Sequence, residues 1–331
     1  MYKRKILALI TIIAVLTVIL FSACNCHTEI IENEKTQSCR QNDGNFSVHY
    51  IDVGQGDCIL IYFPDGKTML IDVGNGESKN NKKILEFLEE FSVDRIDYLV
   101  LTHPDLDHIG GVESLMGKLQ VGRSYIPHVI EKEDFPNFKK AYDLLVGKNA
   151  EIITSCTIEH IKGSDYCVAF LTPYPLGFSN SSYYNINKKY PTDSDLNNVS
   201  PIIYVEYLGV RFLFTGDAGE SQENLLLDDE KVICGFFEKL GVNINLNNID
   251  FLKVAHHGSQ DSSCERFLTR IMPKNAVISV GGANSYGLPS SQVLYRLSTI
   301  NPDYKLFRTD LAGTISITVS QLGEINIVTD N

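Results

Sequence analysis

Four potential metal ligands crowd into six positions where an apolar run ends. In Leu99-Val100-Leu101-Thr102-His103-Pro104-Asp105-Leu106-Asp107-His108, the residues His103, Asp105, Asp107 and His108 follow an expected strand. Imidazoles and carboxylates delivered by one tight loop can converge on one or two cations, and this mix of nitrogen and oxygen suits Zn²⁺ or Mn²⁺. Gly110 and Gly111 then let the chain turn closely into a helix. Two other strand ends carry related chemistry. Phe212-Leu213-Phe214-Thr215-Gly216-Asp217 brings a carboxylate into a glycine turn, and Leu252-Lys253-Val254-Ala255-His256-His257-Gly258-Ser259 brings paired imidazoles. Each places His or Asp at the C-terminal end of a strand, where ligands gather in open layered folds.

The elements that must carry these tips are legible in the residue periodicity. Ser47 to Val53, Cys58 to Phe63 and Thr68 to Ile71 are short β-rich runs separated by glycine turns, so they read as antiparallel strands. Lys82 to Phe91 places Ile84, Leu85, Leu88 and Phe91 on one helical face. Val112 to Leu119, Lys139 to Val146, Glu265 to Ile271 and Ser291 to Ile300 also read as helices. Strands are expected at Ile96–Leu101, Ile202–Tyr207, Arg211–Phe214, Phe251–Ala255, Ala276–Val280, Thr314–Val319 and Glu324–Val328, with a hairpin turn at Leu208-Gly209-Val210. The stretch 179–198, rich in Ser, Asn and Tyr, reads as a long surface loop. Strands and helices alternate in both halves, which predicts an α/β fold of four layers, αββα, with two sheets inside.

The chain has 331 residues, 44% of them hydrophobic and 21% charged, which excludes a disordered chain, a coiled coil or a collagen-like fibre. The net charge of −12 argues against tight, sequence-independent duplex binding but leaves room for a metal-lined site acting on an anion. Met1 to Lys5 is basic and Ile6 to Phe21 is apolar, the order of a secretory signal over residues 1–23. That run is short for a membrane span, which needs roughly 20 residues. Phe21-Ser22-Ala23-Cys24 resembles a bacterial lipobox and would make Cys24 the lipidated first residue of the mature chain. An uncleaved anchor and simple secretion are the alternatives; each places the domain outside the cytoplasm. Residues 24–45 read as a polar tether that holds the domain 46–331 off the membrane. The cysteines form no CxxC pair or regular framework, and Cys58 and Cys167 are expected to be buried small hydrophobes.

Together, H-x-D-x-D-H-x-G-G, T-G-D and H-H-G-S resemble the metallo-β-lactamase fold. The usual metal motif there is H-x-H-x-D-H, and Asp105 stands at its second His. That variant is similar to the extracytoplasmic metallo-β-lactamase-like domain of the ComEC competence proteins and their free-standing relatives. Val48-His49-Tyr50-Ile51-Asp52-Val53-Gly54-Gln55-Gly56-Asp57, Leu70-Ile71-Asp72-Val73-Gly74, Asn198 with Ser200, Asn284-Ser285-Tyr286-Gly287 and Arg308-Thr309-Asp310 extend the likeness over residues 47–320.

The resemblance implies two divalent ions. His103, Asp105 and Asp217 would hold one; Asp107, His108, Asp217 and either His256 or His257 would hold the other. It implies that Asp72 orients ligands and that Asp107 accepts a hydrogen bond from the attacking water. Ser259, Asn284, Ser285 and Tyr286 would donate to phosphate or sugar. Two departures stand out. The usual His before the T-G-D strand has only His128 and His160 as candidates, by order alone, and Leu288 replaces the His of a Y-G-H-P motif. The activity implied is metal-dependent hydrolysis of phosphodiesters, with single-stranded DNA as substrate. One alternative is an esterase of cell-wall phosphodiesters such as phosphorylcholine groups, with Tyr183-Tyr184 facing the choline cation. Another is a non-catalytic binding subunit that keeps metal for stability.

Overall fold

Strand residues alternate between two apolar destinations, and that period of two builds the layers. The computed structural model describes residues 44–127, 134–154, 160–173 and 196–331. The expected signal segment, Cys24, almost all of the expected tether, His128 and Tyr183-Tyr184 lie outside these residues. Six strands come first: β1 (Phe46–Tyr50), β2 (Ile59–Tyr62), β3 (Thr68–Ile71), β4 (Arg95–Val100), β5 (Gln120–Ile126) and β6 (Glu151–Thr154). Then come β7 (His160–Lys162), β8 (Tyr166–Thr172), β9 (Ile202–Tyr207), β10 (Val210–Phe214), β11 (Phe251–Lys253), β12 (Asn275–Ile278) and β13 (Lys305–Arg308). β14 (Ile315–Val319) and β15 (Ile325–Thr329) close the chain. One sheet has the order β15-β14-β1-β2-β3-β4-β5-β6, and the other β13-β12-β11-β10-β9-β8-β7.

Between the sheets, Phe46, Val48, Ile59 and Ile61 meet Ile203, Val205, Phe212 and Phe214. Their neighbours along the same strands face outward. Leu60, Leu70 and Leu99 pack with Ile84 and Leu88 of α1 (Ser78–Glu90), and with Leu115 and Leu145. Ile202, Tyr204, Leu213 and Leu252 pack with Leu226, Phe237, Phe267 and Val293. The result is the expected αββα sandwich, each large side chain contributing about 1.5–3 kcal/mol by burial. Leu115 lies on α3 (Val112–Met116) and Leu145 on α4 (Pro136–Gly147), which follow the short turn of helix α2 (Leu106–Ile109). The other three apolar helical residues before Val293 lie on α5 (Glu220–Asp228), α6 (Glu230–Lys239) and α7 (Glu265–Ile271), and Val293 on α8 (Ser291–Ile300).

The expected elements form with three differences. The helix read over Val112–Leu119 stops at Met116, where Gly117 ends it. Strands β5, β6 and β13, and helices α5 and α6, appear where no element was expected. Cys167 is half-buried rather than buried; with Cys58, Cys234 and Cys264 it is a free thiol among the described residues. The antiparallel reading of β1, β2 and β3 holds. So does the β9–β10 hairpin, whose turn residues Leu208 and Gly209 both take positive φ, 48° and 83°. Beyond these hairpins each sheet turns parallel, through β3-β4-β5-β6 and β10-β11-β12-β13. Among the described residues, no helix is long and apolar enough to cross a membrane.

Candidate metal centre

Parallel strands release their chains at one end of a sheet, so consecutive tips become neighbours. The ends of β3, β4, β10 and β11 deliver Asp72, the loop carrying His103 to His108, Asp217 and His256-His257. Asp72 takes a left-handed backbone, φ 58°, which Asp tolerates better than most residues. His256 and His257 also have positive φ, 49° and 52°, in the short 3₁₀ turn Ala255–Gly258. Two successive non-glycine residues held there signal a constrained site. The segment before β2 lies over the metal loop: Asp57 N–H donates to the Asp107 carbonyl at 3.3 Å. A Cβ at Gly56 would lie 2.2 Å from that same oxygen, so only glycine fits this crossing.

Three imidazoles turn Nε2 into one space, and their partners define the tautomers. His108 Nδ1–H donates to Asp72 Oδ2 at 2.7 Å, and His257 Nδ1–H to the Ser279 carbonyl at 2.8 Å. The Thr102 hydroxyl gives its proton to Asp72 Oδ2 at 2.7 Å, so it accepts from His103 Nδ1–H at 3.0 Å. Each neutral ring therefore leaves a lone pair on Nε2. Around Asp217 Oδ2 stand His108 Nε2 at 3.3 Å, His257 Nε2 at 3.4 Å, and His103 Nε2 and His256 Nε2 at 3.8 Å each. Asp107 Oδ2 lies 3.4 Å from His257 Nε2, and Asp105 Oδ2 lies 3.5 Å from His103 Nε2. His108 Nε2 and His257 Nε2 are 3.3 Å apart.

This is a cage of acceptors facing one another. His103 Nε2 is buried with no hydrogen-bond partner. Donor atoms of a tetrahedral Zn²⁺ shell, about 2.0–2.1 Å from the ion, stand about 3.3 Å apart, and the tightest pairs here match that spacing. His103, His108 and Asp217 form one group whose ligand atoms all lie within 4.8 Å of one another; Asp107, His108 and His257 form a second. The residues fit divalent cations. Their own electrostatics make the same demand for positive charge. Burial pulls His108 down, but Asp217, Asp72 and Asp107 outweigh it and hold the imidazole well above its usual value. Burial pushes Asp217 up, yet His257 and His108 hold it well below the usual carboxylate range. Asp107 likewise stays ionised, burial being outweighed by His108 and His257.

The structure brings His103, Asp105, Asp107, His108, Asp217, His256, His257 and Asp72 together. It separates the paired imidazoles by place: His257 is buried beside Asp107 and His108, while His256 is half-buried, farther from Asp217 Oδ2 and beside Asn197. His160 is not part of the cluster; it sits on β7, paired with Ala169 of β8. Ser259 follows the 3₁₀ turn and is nearly buried. Ser285 and Tyr286 are exposed on the loop whose Pro289 abuts Gly258. The donor role expected of Asn284 needs correction. Its Nδ2 donates to the Gly281 and Leu288 carbonyls, and its Oδ1 accepts from Tyr286 N–H and Leu288 N–H, so the amide braces its own loop.

Sequence reasoning missed Lys253 and the role of Asp57. Lys253 is fully buried with its Nζ 2.5 Å from Asp57 Oδ2, behind the imidazoles. A lysine inside the apolar run of β11 was the available signal. Asn197 was also missed; its Nδ2 lies 3.4 Å from both ring nitrogens of His256.

A profile of the metallo-beta-lactamase superfamily matches residues 51–149 and 197–282, more than half of the chain. The chain belongs to that superfamily. Within it, the chain is similar to ComE operon protein 3 of Bacillus subtilis, 29% identical over 84% of this chain and 33% of that protein. It is similar to competence protein ComA of Neisseria gonorrhoeae, 28% identical over 82% of this chain and 32% of the relative. Endoribonuclease ysh1 of Aspergillus fumigatus is 23% identical over 54% of this chain and 20% of its own length. The chain thus spans a third or less of the length of these curated relatives.

Proposed function

We propose that this chain is a two-cation hydrolase of phosphodiesters whose substrate is single-stranded DNA, linked to DNA uptake. The observation that carries the reading is Asp217 Oδ2 ringed by four imidazole nitrogens, with Asp105 and Asp107 at the open side. The names of the competence and endoribonuclease relatives support a nucleic-acid substrate. His103, Asp105 and Asp217 would hold one cation; Asp107, His108, His257 and Asp217 would hold the other, with Zn²⁺ and Mn²⁺ both suited to the donors. Such a pair supplies Lewis acidity and lowers the pKa of water toward neutrality, the chemistry that phosphodiester cleavage requires.

The chain's own residues set the direction of approach. His103, His108 and His257 are buried, whereas the side chains of Asp105, Asp107 and His256 are 37%, 32% and 31% exposed. Substrate therefore enters over that face. Asp107, held ionised, accepts a hydrogen bond from the attacking water, and the exposed edge of His256 faces the incoming phosphate. The domain works outside the cytoplasm, held to the membrane by a lipid on Cys24.

The test is hydrolysis of bis-p-nitrophenyl phosphate and of single-stranded DNA, with the metal content of the purified chain measured in parallel. Turnover that requires Mn²⁺ or Zn²⁺ and is lost in Asp107→Ala supports the reading. No turnover with either ion, and an Asp107→Ala chain that behaves like wild type, would leave a metal-stabilised binding module instead.

A further inference from the structure

Lysine is almost never fully buried without a partner, and Lys253 is fully buried at the end of β11, four residues before His257. Its Nζ lies 2.5 Å from Asp57 Oδ2, donates to the Gly216 carbonyl at 3.2 Å, and faces Asp217 Oδ1 at 3.9 Å. The imidazoles around Asp217 all approach its other oxygen, Oδ2. Oδ1 itself is buried with no hydrogen-bond partner. The carboxylate is thus divided, one oxygen toward the imidazoles and one toward the ammonium.

We propose that Lys253, with Asp57 as its counter-ion, is a positioning residue of the metal centre. Its ammonium fixes the rotation of the Asp217 carboxylate, so that one oxygen alone serves both cation positions. The inference rests on the two-cation reading above. Charge supports it. Asp57, Asp72, Asp105, Asp107 and Asp217 crowd the centre; two divalent cations leave one negative charge, which the ammonium cancels. A buried charge without such compensation is costly. A second observation points the same way. Asp57, Asp72 and His108 form another group whose ligand atoms lie within 4.8 Å of one another, on the Nδ1 side of His108. By engaging Asp57, Lys253 withholds it from that group and keeps cations on the Nε2 side.

Removing the ammonium alone strands the Asp57 carboxylate, so the informative variant is Asp57→Asn combined with Lys253→Met, which removes both charges at similar volume. Full-length chains are stripped with chelator, melted, and titrated with Mn²⁺ and Zn²⁺ against a competing fluorescent chelator. The double variant should melt near the stripped wild type yet bind cations about 10- to 100-fold more weakly, the usual effect of losing a group that orients metal ligands. Wild-type affinity in the double variant overturns the positioning role and leaves the two-cation reading standing. Asp57→Asn alone is the second arm. It frees the ammonium to pair with Asp217, and cation affinity should fall by a similar factor; unchanged affinity there also overturns the proposal. A wild-type chain that binds no cation overturns both readings.

Discussion

Replacing Asp72 by asparagine should disable the centre without touching a cation position. Asp72 is fully buried, and its two oxygens take three protons: Oδ1 accepts from Thr102 N–H at 2.8 Å, and Oδ2 from the Thr102 hydroxyl and His108 Nδ1–H at 2.7 Å each. Asparagine fits the left-handed backbone as well as aspartate does, so strain does not confuse the result. Its amide, however, offers one acceptor where two are needed. With the amide nitrogen in the Oδ2 position, the Thr102 hydroxyl can rotate, but His108 must move its proton to Nε2. That removes a lone pair from the cage. With the amide flipped, its nitrogen faces the Thr102 backbone N–H, which cannot rotate. The first orientation costs the cage an acceptor; the second orphans the buried Thr102 N–H.

The lost charge-assisted bond should cost about 1.5–3 kcal/mol of folding stability. Misdirecting His108 should weaken cation binding about 10- to 100-fold, or about 1.4–2.7 kcal/mol. Urea denaturation with chelator present measures the first quantity. Cation titration against a fluorescent chelator measures the second, on chains shown to be folded. An Asp72→Asn chain that loses stability but binds cations as tightly as wild type would refute the tautomer argument, because the carboxylate would then be structural only.

Two further substitutions probe the frame around the centre. Gly56→Ala places a Cβ 2.2 Å from the Asp107 carbonyl at a φ of 127°, so the metal loop must shift; a stability loss of at least about 1–3 kcal/mol and loss of metal-dependent hydrolysis are expected, read by melting and by the phosphodiester assay. Glu223 is buried, accepting from Ser263 N–H and Cys264 N–H, and burial pushes its carboxyl up to about 7 from 4.5. The folded chain then binds more protons than the unfolded one between those values, so stability should fall as pH rises through that window, by up to about 3 kcal/mol, and level off above it. Glu223→Gln should flatten that slope in urea melts across the same pH range, whatever it does to absolute stability.

What could be read in the residues and what could not divide along a physical line. The strand tips were legible because each is a local signal, an apolar run ending in Gly, His and Asp within a few positions. The layers were legible because Phe212, Leu213 and Phe214 alternate between two cores. β5, β6 and β13 were not, because each has exposed or polar positions where the sheet runs toward its rim, as in Lys305-Leu306-Phe307-Arg308. Helix α5 was hidden by its start, since Gly219, two residues after Asp217, reads as a turn. The choice between His256 and His257 depends on consecutive positive φ values that residue type does not advertise.

The Asp57–Lys253 pair is the deeper case. Either residue alone conforms to a bland expectation, an aspartate in a glycine turn and a lysine near a strand end. Their meaning comes only from burial and from each other, across the gap between the two sheets. A cage built from acceptors needs cations, and cations at two positions still leave a surplus of carboxylates. Such a site requires a permanent positive charge that cannot be displaced or lost with the metal. A lysine fully buried at the end of β11, its head engaged by Asp57, supplies that charge from within the fold. The pair should therefore be judged by what it does to Asp217, rather than by its net contribution to stability, which for a buried ion pair is often close to nothing.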